Sequence, residues 1–238
     1  MSSVYENLSV EELINEALER NEGELASNGA LLVKTGKRTG RSPLDRFIVK
    51  DESTENSVDW GDVNKPFDSD AFSALWERVS EYMDERDTFV SSLHVGEHAD
   101  YYVPVKIRTE WAWHNLFGKQ MFIRPKSFNP KDKDCWEIMS APQFVCEPDR
   151  DSTNSDGVVL LDFTKKKVLL AGMPYAGEMK KSMFAAQILR ESSCLFQQEC
   201  KALVAEFLMP NLYHFYICYS IGLFYSFIDT YKMYIILN

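Results

Sequence analysis

Apolar residues recur at helical spacing in two stretches of the first half of the chain. In the first stretch, Ser9 and Glu12 form a capping box ahead of an apolar stripe, which predicts a helix that ends at 21–23. That stripe consists of Val10, Leu13, Ile14, Ala17 and Leu18. In the second stretch, Asp68 or Ser69 is expected to cap a helix that packs one face on a core. That face consists of Phe72, Leu75, Trp76, Val79, Tyr82 and Met83.

Short runs of β-branched, aromatic and leucine residues predict a sheet around these helices. The predicted strands are 30–33, 47–49, 88–93, 101–108, 121–123, 135–139, 143–146, 158–163 and 168–171. Pro104 is expected to place its strand near a sheet edge, because proline cannot donate a ladder hydrogen bond. The polar stretch 51–67 predicts a long surface loop, and 164–167 predicts a hairpin turn. The order of elements indicates an α/β fold, with a mixed sheet and helices on both faces.

Two motifs in the middle of the chain concern local structure. Thr109 is expected to cap a short helix at 111–119. The residues from His94 to His98 match the H-x-x-E-H pattern of zinc peptidases, which must lie on a helix so that both imidazoles face one ion. Gly96 at its centre and the strand-like flanking residues predict an inter-strand loop instead.

The stretch from Gly172 to Phe184 is the main candidate site. Its turn formers follow an apolar run and precede a segment without Gly or Pro, which predicts a strand, a tight loop and the start of a helix. Lys180 and Lys181 fall in the first turn of that helix, where the helix dipole disfavours cations and attracts anions. A bound anion would resolve this conflict, and a solvated pair of lysines is the alternative.

A second candidate is the polar loop 34–46. It is not a Walker A phosphate loop, because Arg38 replaces the Ser or Thr and Leu31 replaces the first glycine. Arg41 lies in a Gly-Arg-Ser-Pro turn, and a guanidinium held rigidly presents two parallel N–H donors that match a carboxylate. The loop is therefore a candidate carboxylate site, and an exposed basic loop is the alternative.

Composition restricts the class of protein. The 238 residues suffice for one large domain or two small ones, and 45% hydrophobic with 13% aromatic residues can form a core. A net charge of -10 argues against nucleic acid as a partner. The five cysteines have no CxxC or metal-finger spacing, and the first residues lack the pattern of a signal peptide. We expect a cytoplasmic protein.

Four stretches, in the same order, closely resemble the ATP-dependent phosphoenolpyruvate carboxykinases. They are Tyr175 to Phe184, which resembles that family's substrate loop, Thr39 to Pro43, Thr109 to Trp113 and Met121 to Pro125. The resemblance runs from about Leu8 to about Gln187. It implies that residues 1–187 form the family's N-terminal, substrate-binding α/β domain, and that 188–238 is an apolar tail outside the family.

The resemblance also implies a reaction and roles for four residues. The family converts oxaloacetate and ATP to phosphoenolpyruvate, ADP and carbon dioxide in gluconeogenesis, with Mn²⁺ or Mg²⁺ as cofactor. Arg41 would bind the carboxylates, and Tyr175 would lie against phosphoenolpyruvate or carbon dioxide. Lys180 and Lys181 would be catalytic, and Lys181 would also bind substrate, ATP and the metal ion. Glu178 is expected to orient the two lysines.

The sequence departs from the family after Gln187. No G-x-x-x-x-G-K-[ST] motif occurs, and the only later histidine is His214, so we expect a fragment that is inactive alone. The alternatives are a non-catalytic dicarboxylate-binding domain and a tail-anchored membrane protein. The uncharged stretch 207–228 fits a transmembrane anchor, a buried helix pair, or out-of-frame or intron-derived translation. Pro210 and the abrupt loss of similarity favour the last, and a membrane is a partner only if the tail is genuine.

Overall fold

The computed structural model describes residues 2–97, 102–131 and 133–192. The strands are β1 Val4–Glu6, β2 Gly23–Leu25, β3 Leu31–Val33, β4 Arg46–Val49, β5 Lys65–Phe67, β6 Thr88–Val95, β7 Val103–Thr109, β8 Trp136–Ala141, β9 Val158–Asp162 and β10 Lys167–Ala171. The helices are α1 Val10–Glu19, α2 Ser69–Asp84, α3 Ala112–Met121, α4 Pro148–Asp151 and α5 Gly177–Ser192, with a 3-10 turn at Pro43–Asp45.

Eight of these strands form one mixed sheet in the order β1-β6-β7-β8-β10-β9-β4-β5, while β2 and β3 pair separately. The pairs β6–β7 and β9–β10 are antiparallel, and β7–β8, β8–β10 and β4–β9 are parallel. The predicted mixed sheet and the predicted hairpin are therefore confirmed.

Two apolar cores lie on opposite faces of this sheet. Successive residues of a strand point to opposite faces, and in β9 Val159 and Leu161 join one core while Val158 and Leu160 join the other. The first core is covered by α1, α3 and α5, and the second by α2. Helices thus pack on both faces, as the order of elements predicts.

The starts of α1 and α2 follow their local sequence. Ser9 and Glu12 form both hydrogen bonds of the capping box, and Asp68 accepts from the backbone N–H groups of Asp70 and Ala71. Both predicted caps are confirmed, because side chain and helix end are neighbours in sequence.

The start of α3 is different, and the predicted cap at Thr109 is wrong. The Thr109 hydroxyl donates to the Trp111 carbonyl, whereas the N–H groups of Ala112 and Trp113 donate to Glu22 at 3.1 and 3.0 Å. Burial raises the pKa of Glu22 to about 7, while these two hydrogen bonds oppose the shift. A residue that follows α1 therefore caps α3 from a distance.

The predicted strands at 121–123 and 143–146 do not form. Met121 is the last residue of α3, and Ile123 makes an isolated bridge to His94. The stretch 143–146 is a turn and extended loop after β8. Conversely, the predicted surface loop 51–67 ends in the short strand β5, which pairs in parallel with β4 at one edge of the described sheet.

Pro104 lies inside the sheet rather than near its edge, because β7 has β6 on one side and β8 on the other. His94 pairs with Pro104 in register, but its own N–H and carbonyl bond to Ile123. The Pro104 nitrogen therefore faces away from β6, towards the side of β8. Since the pairing with β8 begins only at Val105, no ladder hydrogen bond is lost.

Two further expectations concern the motif at His94 and the tail. His94 and Val95 belong to β6, and Gly96 follows with a φ of +83°, so the described part of the motif is a strand end rather than a helix or a loop throughout. His98 and the stretch 207–228 lie outside the described residues. Within the described ranges, none of the helices combines the length and the apolar character needed to cross a membrane.

Candidate functional site

The loop between β10 and α5 begins at a close approach of two backbone segments. Gly172 has a φ of +62°, and a Cβ there would overlap the Asp156 carbonyl and lie 2.9 Å from the Gly157 Cα and the Phe144 carbonyl oxygen. The contact is reciprocal, because a Cβ at Gly157 would lie 2.6 Å from the Gly172 carbonyl oxygen. Only glycine fits both positions, and this contact fixes where the loop leaves the sheet.

A buried histidine holds the middle of the same loop. The His114 ring lies 3.0 Å from the Pro174 carbonyl oxygen through Nε2 and 2.9 Å from the Ser140 hydroxyl through Nδ1. Because a carbonyl only accepts, Nε2 carries the proton and Nδ1 accepts from Ser140. Burial lowers the pKa of His114 to about 3, so the ring is neutral. His114 therefore joins α3 and β8 to the candidate loop.

Tyr175 and Gly177 are packed against each other at the start of α5. A Cβ at Gly177 would lie 2.6 Å from Cε1 and Cζ of the Tyr175 ring and 2.8 Å from its hydroxyl oxygen. The ring is half-buried and covers the first residue of the helix. The absence of a side chain at Gly177 thus sets the position of Tyr175.

Gly177→Ala is expected to destabilise the fold by about 1–2 kcal/mol, because the tyrosine ring must move out of its place. In a Tyr175→Ala background the same substitution is expected to be neutral or stabilising, since alanine is the better helix residue. Urea unfolding of the four proteins of this double-mutant cycle measures the coupling. Equal costs in both backgrounds would show that the ring does not rest on Gly177.

Lys180 and Lys181 lie where the sequence predicts them, at the beginning of α5 after strand and tight loop. Lys180 is exposed and Lys181 is half-buried. The predicted strand, loop and helix start are confirmed, and the roles of the two lysines stay predictions.

Arg38 anchors the first half of the loop 34–46 to the residues around Asp156. Its guanidinium donates to Asp156 Oδ1 at 2.8 Å and to Ser155 Oγ at 3.0 Å, and it lies 3.8 Å from Asp45 Oδ2. The interaction with Arg38 lowers the pKa of Asp156. From sequence, Arg38 is one of several loop cations, and nothing local indicates that Ser155 and Asp156, more than a hundred residues away, are its hydrogen-bond partners.

The second half of this loop meets the first turn of α5 through Glu178. The backbone N–H of Ser42 donates to Glu178 Oε1 at 3.3 Å, and Arg46 Nε lies 3.4 Å from Glu178 Oε2. These contacts tie Glu178 to the loop that carries Arg41. The expectation that Glu178 orients the two lysines stays a prediction. Arg46 is a site residue that the sequence reasoning missed. The contacts of Glu178 to Ser42 and Arg46 were not predicted either, although Glu178 lies within the motif that carries the resemblance.

Arg41 is half-buried next to this junction. Its Nε–H is shielded from solvent and has no hydrogen-bond acceptor within the ranges that the structure describes. Because Ser42 is bonded to Glu178, the backbone at Arg41 lies beside the helix turn that precedes Lys180 and Lys181. The chain thus brings the two candidate segments together, and a common pocket for all four side chains stays a prediction.

The described residues do not form a complete site for a divalent metal ion. Across those ranges, no group of three or more His, Cys, Asp or Glu residues is arranged to hold a metal. A single lysine such as Lys181 cannot replace such a ligand set, since divalent ions take several oxygen or nitrogen ligands. The sequence likewise contains no Walker A motif for the phosphates of ATP.

A mixed eight-stranded sheet with helices packed on both faces defines a protein of the α/β class. The sequence model of the family described as phosphoenolpyruvate carboxykinase matches residues 2–203, so the match begins before Leu8 and continues past Gln187. The chain belongs to the ATP-dependent phosphoenolpyruvate carboxykinase family.

Individual relatives agree with this assignment. The chain is 43% identical over 210 residues to phosphoenolpyruvate carboxykinase (ATP) of Bacillus pumilus, which covers 87% of this chain and 40% of the relative. It is 42% identical over 207 residues to the Bacillus subtilis protein of that name, and this match covers 86% of this chain and 39% of the relative. Phosphoenolpyruvate carboxykinase (ATP) 1 of Salinibacter ruber is 43% identical over 189 residues, and this match covers 77% of this chain and 35% of the relative. The chain therefore spans between 35% and 40% of the length of these relatives.

Proposed function

We propose that this chain supplies the substrate-binding part of an ATP-dependent phosphoenolpyruvate carboxykinase. The complete reaction converts oxaloacetate and ATP to phosphoenolpyruvate, ADP and carbon dioxide. The observation that carries the proposal is the hydrogen bond from Ser42 to Glu178, which joins the loop of Arg41 to the helix turn before Lys180 and Lys181. Both segments come from motifs that resemble the family, and each offers the positive charge that a dicarboxylate needs.

Arg41 is proposed to bind a carboxylate of oxaloacetate or phosphoenolpyruvate. Its shielded Nε–H has no acceptor among the described residues, and a buried donor without a partner is costly unless a ligand satisfies it. A carboxylate is the natural acceptor, because it can receive two parallel N–H bonds from one guanidinium. The hydrogen bond from Ser42 to Glu178 is proposed to hold the backbone next to Arg41 in place before the substrate arrives.

Tyr175 is proposed to lie against the substrate or the released carbon dioxide, and Lys180 and Lys181 to stabilise the enolate. Loss of carbon dioxide from oxaloacetate leaves negative charge on an oxygen atom, and ammonium groups held near that oxygen lower the barrier. The position of Tyr175 against Gly177 aims its ring towards the start of the same helix. Mn²⁺ or Mg²⁺ and ATP are part of the proposed complete reaction, and their sites require residues beyond those described.

Binding of L-malate to the 238-residue chain tests this proposal. Malate keeps the carbon skeleton and both carboxylates of oxaloacetate, while 2-hydroxybutyrate replaces one carboxylate with a methyl group. We expect calorimetry or NMR titration to detect malate at a lower concentration than 2-hydroxybutyrate. Arg41→Lys is expected to weaken malate binding by about tenfold, because lysine cannot form the paired hydrogen bonds.

Arg150→Lys is the matched control, since Arg150 is an exposed arginine on α4. It is expected to leave malate binding unchanged. Equal binding of both ligands, or equal effects of the two arginine variants, would contradict a dicarboxylate site at Arg41. A non-catalytic dicarboxylate-binding domain would pass this test too, and an assay for carbon dioxide release from oxaloacetate with ATP and Mn²⁺ separates it from an enzyme.

A further inference from the structure

Unsatisfied polar atoms in the described part of the chain are confined to two segments that contact each other. The buried side-chain atoms there without a hydrogen-bond partner are Thr35 Oγ1, Arg41 Nε, Arg46 Nε, Glu178 Oε2 and Ser182 Oγ. Three of these atoms belong to the loop 34–46, whose last residue, Arg46, also begins β4. The other two belong to the first two turns of α5. Native proteins pair almost all buried polar groups, so exceptions confined to two contacting segments indicate a region built for something other than stability.

Glu178 connects the two segments through its contacts to Ser42 and Arg46. Its side chain is 1% exposed and that of Arg46 is 10% exposed, so both charges have lost most of their hydration. The 3.4 Å contact between Arg46 Nε and Glu178 Oε2 is an ion pair without a hydrogen bond, because neither atom has a hydrogen-bond partner among the described residues. Among the described residues, the Glu178 carboxylate accepts one hydrogen bond, from Ser42, and a buried carboxylate with so few partners is retained at a cost in stability.

Three charges share this enclosed space. Burial lowers the pKa of Arg46, the attraction of Glu178 opposes the shift, and the charge of Arg41 lowers that pKa further. Arg41 and Arg46 therefore repel each other, and Glu178 offsets one of their two positive charges. One guanidinium charge is left over, together with the Nε–H of Arg41, which has no acceptor in the part of the chain that the structure describes.

We propose that Glu178 is a positioning residue for Arg41. It holds the loop through the backbone N–H of Ser42 and neutralises Arg46, so that Arg41 rather than Arg46 receives the carboxylate of the ligand. Glu178 itself does not touch the substrate in this role. The inference rests on the proposed function, and it adds the residue that determines which of two neighbouring arginines binds the carboxylate.

Glu178→Gln tests the electrostatic part, because glutamine keeps an acceptor oxygen for Ser42 and removes only the charge. With Arg46 no longer neutralised, we expect malate to bind about tenfold more weakly and the preference for malate over 2-hydroxybutyrate to fall by a similar factor. In the double variant Glu178→Gln/Arg46→Gln the surplus charge is gone, and the preference is expected to return to within about threefold of the original. A merely structural role would make the double variant worse than either single one.

Glu110→Gln is the matched control. Glu110 is also buried, accepts a backbone N–H from Gln143 at 2.9 Å and lies 3.8 Å from Arg86 Nε. Its replacement is expected to lower the melting temperature while leaving the ratio of the two ligand affinities unchanged. If Glu178→Gln shows that same pattern, Glu178 is structural and the inference is overturned.

Ligand-free NMR spectra separate this inference from the proposed function. If malate does not bind the unmodified chain, the proposed function fails. The inference is then judged from the Arg41 Nε–H signal, assigned with Arg41→Lys, and from the Ser42 amide signal. Glu178→Gln is expected to shift both signals and to speed exchange of the Arg41 Nε–H with solvent. The double variant is expected to return this exchange towards the original rate. Unchanged signals in Glu178→Gln would overturn the inference whether or not malate binds.

Discussion

Gly172→Ala is expected to destabilise the folded chain by about 3–5 kcal/mol, the sum of a left-handed backbone without glycine and a clash with fixed backbone atoms. Gly172 has a φ of +62°, and a Cβ there would lie 2.9 Å from the Phe144 carbonyl oxygen and from the Gly157 Cα. These neighbours are backbone atoms of other segments and cannot rotate away. Urea unfolding of the 238-residue chain measures the loss.

Gly36→Ala is the matched control for this substitution. Gly36 has a φ of +59°, close to that of Gly172, but a Cβ there would meet nothing within 4 Å. Its substitution is expected to cost only the backbone term, about 1–2 kcal/mol. The difference between the two variants therefore isolates the close approach of Gly172 to the loop at Asp156. Equal losses would contradict that contact.

The second large effect is a loss of stability on acidification that depends on His114. Burial lowers the pKa of His114 from 6.5 to about 3 in the folded chain, whereas the unfolded chain keeps the ordinary value. Between these two pH values the unfolded state binds a proton that the folded state cannot bind. The unfolding free energy is therefore expected to fall by about 1.4 kcal/mol per pH unit from pH 6.5 towards pH 3, or about 4–5 kcal/mol in all.

His114→Gln identifies this contribution, since glutamine does not titrate. At pH 7 the variant is expected to be less stable by about 2–3 kcal/mol, because the contacts to Ser140 and Pro174 are weakened. Towards pH 3 the deficit is expected to vanish or reverse. Comparing variant with parent at each pH removes the opposite effect of Glu22, whose raised pKa destabilises the fold as pH rises from 4.5 to about 7.

His94→Gln provides the comparison for a histidine outside the core, at the end of β6. It is expected to leave the steep acid dependence of the chain in place. If His114→Gln retains the full loss between pH 6.5 and pH 3, other groups cause the acid sensitivity and the neutral buried state of His114 is wrong. Calorimetry or denaturant unfolding at five or six pH values distinguishes these outcomes.

Elements that depend on local patterns could be predicted from sequence. The helices α1 and α2 and the β9–β10 hairpin combine apolar periodicity with neighbouring caps or turns, so the chain itself contains the signal. The short strands β1 and β5 have no such pattern, because only their pairing with β6 and β4 makes them strands. The prediction of the α3 cap failed for the same reason, since 90 positions separate Glu22, which caps the helix, from Ala112.

For the candidate site, too, locally encoded features could be predicted from sequence and long-range contacts could not. The loop before α5 and the position of its lysines follow from turn formers and a helix start, and the choice of Arg41 followed from a rigid turn together with the family resemblance. The contacts of His114, Arg38 and Glu178 could not be foreseen, because each joins segments that are distant in sequence. Supporting residues of this kind are visible only once the sheet has brought those segments together.

The edge strand β5 has a consequence for how copies of this chain meet in solution. The Phe67 carbonyl accepts from the Lys50 N–H at 2.9 Å, so the alternation of a strand turns the backbone of Pro66 to the outer side. Proline has no N–H to offer there, and the neighbouring Lys65 adds charge. A second molecule therefore finds a poor template for extending the sheet, which protects this edge against aggregation.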